Sequence, residues 1–599
     1  MKLHRQFLLL HGQYADPEGR WVTLDEIATV LERTHRSALN IIGNMRKAGW
    51  IDWQAQRGRG KRSLLRFLVT AEQIALESMM QTIRRGDIRT SIEQIREQAR
   101  SPELDDQLQQ WLLTYFGPHS EIRQDRQIDQ LRLPIRQQIH TVDPLYMNLL
   151  AESFVSSHIF DGLVRKESES GRIVPHLAHA WETDAARTQW TFYLRKDVLF
   201  HHGQTLTADD VVYTFERLMQ SSRPALYRFI FQQIASVQAL HTGAVVIRLR
   251  QPCELFLPFL CTSRAGIVPE GLNRTGEEEF GHRPSGTGPF RLVERDQDRV
   301  VLEAFKPYFR GRPHLDRAEI IHIPWRVRRT ENDGRVRSES ETASPFQVIP
   351  GPIEGGQDQS WSQLPSPVSV RKFITFNTQK PGLLQQPDVR RHICQCLQTE
   401  TDGNKQRHLS ENDNEAALTP AAVQQQAPAL ITAASDESTD NERSLRILTI
   451  PQYRRDAMKI AERLRQAGYT CEVRSVPIEQ FKGDVRMQSD LLVFSLIRDQ
   501  DEQLRLFDLY QTMAGHVEPH VTTDITYRLQ DILRQPDASA RQMLFNEIEQ
   551  RLVQGYQLHV LYEKPVQTTY LPSVRGITFN SQGWVDLRHI WLPPGDSPI

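Results

Sequence analysis

Residues 23–69 read TLDEIATVLERTHRSALNIIGNMRKAGWIDWQAQRGRGKRSLLRFLV. Thr23 stands where a helix cap is wanted, and Glu26 follows three residues later at the reciprocal capping-box position. Leu24, Ile27, Ala28 and Leu31 recur with a period near 3.6 and share one face. The pattern breaks over Glu32 to Thr34. It resumes near His35 with Ala38, Ile41, Ile42 and Met45, until Gly49 ends it. Two short helices across such a turn make a helix-turn-helix unit. Beyond Gly49, Trp50 to Trp53 and Leu64 to Phe67 read as strands, with RGRGKR (57–62) at the turn between them. The expectation is a winged helix-turn-helix with a basic wing.

Charge supports that reading locally, because the whole chain carries a formal net charge of only -1. Between residues 33 and 66 stand nine cations: Arg33, Arg36, Arg46, Lys47, Arg57, Arg59, Lys61, Arg62 and Arg66. The only acid there is Asp52. Such an excess attracts a phosphate backbone, since each neutralised phosphate releases counterions. The partner expected is double-stranded promoter DNA, with the second helix entering the major groove by its N-terminus. Thr34, His35, Arg36, Ser37 and Asn40 are then the candidate base or phosphate readers, as Arg pairs with guanine edges and Asn with adenine. Arg57, Arg59, Lys61 and Arg62 are candidate backbone or minor-groove contacts, which position without specifying. A phosphate-cradling nucleotide loop fails on spacing: Gly60-Lys61 is followed by Arg62 and a strand, not by Ser/Thr and a helix.

At 599 residues the chain exceeds one hydrophobic core, so more than one domain is expected. The start, MKLHRQFLLLHGQYADPEG, has four consecutive apolar residues and no small-residue cleavage site, unlike a secretory signal. No window approaches the roughly 18 apolar residues of a membrane span, so no membrane partner is expected. Five scattered cysteines suit a reducing compartment, and a cytoplasmic location follows as the expectation. Neither a nucleophile elbow, a zinc-protease motif nor a zinc-spaced His/Cys set is present, so no enzyme, cofactor or metal is expected. His201-His202 reads as exposed turn residues.

Residues 1–115 read as the DNA-binding domain with a helical extension. Its amphipathic stretch from about Thr70 to Phe116 leaves homo-oligomerisation open. From 116 to 599 the rhythm changes to short strands, helices and Gly/Pro turns, as in WTFYLRKDVLF, AVVIRLR, RVVLEAF and RKFITFN. TADDVVYTFERLM reads as a helix capped by Thr207 with acids in its first turn. SLRILTI, DAMKIAERLRQAG, YTCEVRSV and DLLVFSL repeat a strand-helix-strand order, the mark of an α/β layer. Residues 331–369 and 400–443 are polar, lack periodicity and read as long flexible insertions.

The stretch GRIVPHLAHAWETDAARTQWTFYLRKDVLFHHGQTLTADDVVYTFERL, with PSGTGPFRL (284–292), FKPYFRGRPHLD and FITFNTQKP, resembles the family 5 solute-binding proteins of the oligopeptide and nickel class. In the FKPYFRGRPHLD element Lys306 and Phe309 depart from the Asn and Trp of that family. A winged helix ahead of such a receptor resembles the SgrR family of bacterial transcriptional regulators. The resemblance implies an α/β, two-lobed periplasmic-binding-protein-like receptor behind a small DNA-binding head. It further implies an activator and repressor of transcription tied to sugar-phosphate stress. The ligand implied is a small molecule, a phosphosugar or a peptide, with Asn377 and Trp584 as candidate ligand-binding residues. The alternative is a solute-binding protein of an oligopeptide-type transporter.

Overall fold

The structure is a computed structural model. It describes residues 2–16, 18–56, 61–71, 73–74, 77, 115–123, 126–135, 137–221, 226–271, 276–322, 362–398, 444–570, 574–580 and 582–593. The segment 400–443 and most of 331–369 lie outside these, as do Arg57, Arg59 and nearly all of 70–116. The chain forms two compact units, one built on Met1–Gly117, the other on Pro118–Ile320 and Ser360–Ile599.

In the first unit, α1 (Lys2–Tyr14) precedes β1 (Arg20–Val22), α2 (Leu24–Val30), α3 (His35–Lys47), β2 (Ile51–Gln54) and β3 (Ser63–Phe67). The capping box at Thr23 is formed: Thr23 N donates to Glu26 Oε2 at 2.7 Å, and Glu26 N donates to Thr23 Oγ1 at 3.2 Å. Thr34 caps α3, accepting from Ser37 N. At its other end, Trp50 N donates to Met45 O and Gly49 N to Arg46 O, both at 3.0 Å. Gly49, at φ +74°, supplies the left-handed turn this closure needs. The sheet order is β1-β3-β2, antiparallel throughout. α1 buries Phe7, Leu10 and Tyr14 against the sheet and Trp50, with Phe7 edge-on to Phe67 at 5.3 Å. Sequence periodicity had not marked α1 or the three-residue β1.

The second unit has two lobes. In the first, β8 (Ala178–Thr183), β9 (Gln189–Leu194), β10 (Ile234–His241) and β11 (Ala244–Leu249) form a sheet of order β10-β11-β9-β8. A second sheet, order β12-β13-β14-β5-β4, joins β4 (Gly117–Arg123) and β5 (Arg126–Ile135) to β12 (Phe290–Arg295), β13 (Arg299–Ala304) and β14 (Arg317–His322). The hairpin β6 (Val164–Lys166) and β7 (Ile173–Pro175) completes the strands. Helix α4 (Leu150–Ile159) packs on the second sheet, and α5 (Ala208–Gln220) follows Thr207, whose N donates to Asp210 Oδ2 at 2.8 Å.

Gly286 and Gly288 sit against the end of α4. A Cβ on Gly286 would stand 2.0 Å from Ile159 O, and one on Gly288 2.6 Å from His158 O. Backbone meets backbone there, so only glycine fits. His201 joins this contact: its Nδ1 accepts from Gly286 N and its Nε2 donates to Gly288 O. The expected exposure holds for His202 but not for His201, whose ring is occupied by backbone.

The second lobe carries a sheet of order β17-β16-β18-β15-β19, from β15 (Ser362–Phe376), β16 (Ser444–Thr449), β17 (Thr470–Ser475), β18 (Leu491–Arg498) and β19 (Leu558–Tyr570). β16 runs parallel to β17 and β18, the α/β layer expected from the sequence. Residues 362–369, expected as loop, are the start of β15 and pair with β19. Alternation sends Ile374 and Phe376 toward α6 (Pro387–Gln398) and α7 (Arg454–Gln466). Phe373 faces the other way, toward α8 (Glu502–Ala514), α9 (Pro519–Arg534) and α10 (Ala538–Gln554). The first lobe packs on α8, where Phe229 stacks on Phe507 with ring centroids 3.9 Å apart.

Candidate nucleic-acid interface and ligand cleft

Helix α3 divides into two faces. Ala38, Ile41, Ile42 and Met45 are buried, which leaves Arg36, Leu39, Asn40, Asn44 and Lys47 on the exposed side. The Thr34 side chain is engaged in the cap, accepting from Ser37 N, so Ser37 takes part only through its backbone. His35 Nε2 is in contact with Asp25 Oδ1 of α2, which fastens the two helices together. Of the residues expected to read DNA on this helix, Arg36 and Asn40 are exposed and Ser37 is half-buried, and Leu39 and Lys47 are exposed beside them. Leu39 is 49% exposed, an apolar side chain suited to a thymine methyl. It escaped notice because a leucine in an amphipathic helix reads as core. Gly43 also lies on this side, and a Cβ there would meet nothing within 4 Å.

The wing hairpin is held by the register Ile51↔Phe67 to Gln54↔Leu64. Lys61 and Arg62 follow its tip and are exposed, Arg62 lying 3.9 Å from Glu26. Arg66 Nη2 donates to Glu18 O, tying β3 to the approach of β1.

In the second unit a cavity of about 200 Å³ lies between the lobes. Leu149, Leu150 and Leu226 line it from the first lobe, and Phe373, Phe494 and Met513 from the second. Charged and titratable side chains also line it: Lys482, Arg486, Arg505, Asp508 and His516. Lys482 Nζ donates to Asn148 Oδ1 at 2.9 Å, and burial lowers its pKa to about 8. Asp508 accepts from Tyr227 N at 3.2 Å, and burial raises its pKa. Arg486 also lines the cavity, its pKa lowered by burial. His516 is buried, neither ring nitrogen has a protein partner, and burial lowers its pKa to about 4. The arrangement suits a small molecule with an apolar body and a charged end.

Asn377 and Trp584, the two residues expected to touch ligand, line neither this cavity nor a smaller one in the first lobe. Asn377 is consumed by structure: its Nδ2 donates to Met487 O and Ser489 O, and its Oδ1 accepts from Lys380 N. Trp584 is buried edge-on to Phe154 in the first-lobe core. The cavity residues were missed because they come from distant segments and share no local motif. Among the described residues no group of three His, Cys, Asp or Glu side chains could hold a metal ion. No described helix is long and apolar enough to cross a membrane.

Comparison with known proteins follows the same division. The family described as "Sugar transport-related sRNA regulator N-term" matches residues 2–117, and "Bacterial extracellular solute-binding proteins, family 5 Middle" matches residues 172–393. Among solved structures, the periplasmic binding protein DppA from Helicobacter pylori in complex with peptide STSA aligns with a TM-score of 0.59 at 17% identity. It covers 77% of this chain and 98% of that one. The dipeptide binding protein from Pseudoalteromonas sp. SM9913 in complex with Met-Leu aligns with a TM-score of 0.59 at 16% identity, over 78% of this chain and 100% of that one. The protein is thus a winged-helix head fused to a receptor of the two-lobed solute-binding fold. The same fusion runs the full length of the HTH-type transcriptional regulator SgrR of Yersinia enterocolitica, 26% identical over 623 residues, 100% of this chain and 99% of that one. The uncharacterized protein YhjP of Bacillus subtilis is 26% identical over 586 residues, covering 95% of this chain and 96% of that one. Over its whole length the chain is thus similar to a regulator of the SgrR type.

Proposed function

We propose that this protein is a cytoplasmic transcriptional regulator of the SgrR type whose grip on promoter DNA is set by a small solute held between its receptor lobes. The observation that carries the reading is a helix-turn-helix exposing Arg36 and Asn40 beside a basic wing, in the same chain as a receptor fold. Arg36, Leu39 and Asn40 read base edges, while Lys61, Arg62, Arg57 and Arg59 follow phosphates. The solute acts only through unequal affinity for DNA-competent and DNA-incompetent states.

The lining of the interlobe cavity favours a short peptide over a phosphosugar there. Leucine and phenylalanine side chains cannot replace the water that sugar hydroxyls surrender on entry, whereas they cover an apolar peptide side chain at no such cost. Genome-wide mapping of bound DNA, with and without sugar-phosphate stress, tests the regulatory reading. Discrete promoter peaks that change with the stress support it. An absence of peaks under both conditions rejects it.

A further inference from the structure

The first lobe contains a second, polar cavity of about 130 Å³, lined entirely by its own residues and distinct from the cleft between lobes. Arg165 of β6 and Arg588 of the C-terminal stretch both face it. Arg588 is held in place by Asp586, to which its Nε donates at 2.9 and 3.0 Å. Arg165 is different: its Nε is buried without a protein hydrogen-bond partner. Burial lowers the Arg165 pKa, and the neighbouring Arg310 and Arg588 charges lower it further. The Arg588 charge is met by Asp586 and Asp161, whereas Arg165 faces the like charges of Arg310 and Arg588 with only Glu167 against them, so an anion beside Arg165 would relieve it.

A second, independent feature points the same way. His176 lines the cavity and is 5% exposed, and its Nδ1 is buried with no protein partner. Its Nε2 donates to Asp161 Oδ1 at 2.7 Å. Asp161 is fully engaged: Oδ1 also accepts from Tyr308 OH at 3.3 Å, and Oδ2 from Thr287 Oγ1 at 3.1 Å. The carboxylate therefore orients the imidazole by holding its Nε2 proton, while burial lowers the His176 pKa and keeps the ring neutral, leaving Nδ1 as an acceptor for a ligand OH or water. The two acids in the wall, Asp161 and Asp586, are each covered by a donor of their own.

We infer that this cavity is an oxyanion site, taking one phosphate or carboxylate group between Arg165 and Arg588, with His176 Nδ1 accepting a hydrogen bond from a phosphate OH or from a water beside the bound group. Its size admits a single such group and the waters around it. Guanidinium pairs suit planar or tetrahedral oxyanions because their donors form a rigid fork. Nothing in this inference depends on DNA binding, so the two can fail separately.

The test is calorimetric titration of the full chain with sodium phosphate and, in parallel, sodium acetate, at constant ionic strength set with chloride. Saturable binding of one of the two is expected, and which one binds tighter identifies the group. Arg165→Gln is expected to weaken that binding by about tenfold or more, the scale of a charged hydrogen bond. Arg165→Lys, which keeps the charge but not the fork, should fall between. Thermal unfolding of the variants without ligand verifies the fold, and bound ligand should raise the wild-type transition by mass action. Absence of saturable binding by both anions overturns the inference, as does binding unaltered in Arg165→Gln. Loss of oxyanion binding with promoter binding intact leaves the regulatory reading standing.

Discussion

Lys166 Nζ lies 2.7 Å from Asp501 Oδ1 and 2.6 Å from the Gln500 carbonyl, joining β6 of the first lobe to the turn that opens α8 of the second. Both side chains are buried. A buried pair broken on one side leaves a charge without compensation, which costs about 3–5 kcal/mol. Lys166→Met should lower the unfolding free energy of the receptor by that scale, read as a lower urea midpoint. Lys166→Met combined with Asp501→Leu should recover most of it, because neither charge is then stranded. Equal destabilisation in the single and double variants would show that this bond does not help to hold the lobes together.

The wing makes a different kind of prediction. Neutralising Arg57, Arg59, Lys61 and Arg62 withdraws charge from the phosphates and leaves the base edges untouched. Affinity should fall alike for promoter and unrelated duplex, and the slope of log affinity against log salt should flatten by about 0.9 for each phosphate no longer neutralised. Electrophoretic mobility or anisotropy titrations at several salt concentrations measure both. An unchanged slope would refute the assignment of the wing.

Arg36→Ala and Asn40→Ala should instead act selectively, costing about 1–3 kcal/mol on the promoter sequence and little on unrelated DNA. Gly43→Ala is expected to split stability from function. The added methyl meets no protein atom, and alanine in a helix is favoured by roughly 0.5–1 kcal/mol, so the head should melt higher. The same methyl intrudes on the face proposed to meet DNA, so affinity should drop. Tighter DNA binding by the alanine variant would contradict this orientation of α3.

His516 gives the receptor an acid sensitivity. Burial lowers its pKa to about 4 from the ordinary 6.5. Between those values the unfolded chain takes up a proton that the folded chain refuses, so stability declines as pH falls from about 6.5 to about 4. The slope from this group is at most roughly 1.4 kcal/mol per pH unit. His516→Met should flatten that part of the profile and raise stability at pH 5, as urea unfolding at pH 5 and pH 7 would show. An identical profile in the variant would assign the acid sensitivity elsewhere.

The first unit was legible in the sequence because its signals are local. Thr23 and Glu26, the stripe Ala38-Ile41-Ile42-Met45 and Gly49 each act within one turn of helix, and each took the predicted place. Many strands and helices of the receptor followed for the same reason, whereas its two-lobed arrangement was legible only through the resemblance of its motifs to family 5 solute-binding proteins. What stayed hidden was long-range. The interlobe cavity joins Leu149 to Phe494, and the oxyanion cavity joins Arg165 to Arg588, pairings no spacing rule encodes. Asn377 and Trp584 stood out by residue type alone, and type does not say whether an amide or an indole is consumed by its neighbours.

Leu587 N donates to His158 Nε2 at 3.2 Å across 429 positions of chain, and Trp584, Val585 and Ile590 fill the core around Phe154. The first lobe therefore cannot finish its core until residues 584–590 leave the ribosome. The helix-turn-helix, complete within the opening 70 or so residues, has no such wait. At roughly 5–20 residues per second the interval is on the order of half a minute to two minutes. Each newborn molecule thus passes through an age at which its DNA-gripping part is finished and its sensing part is not.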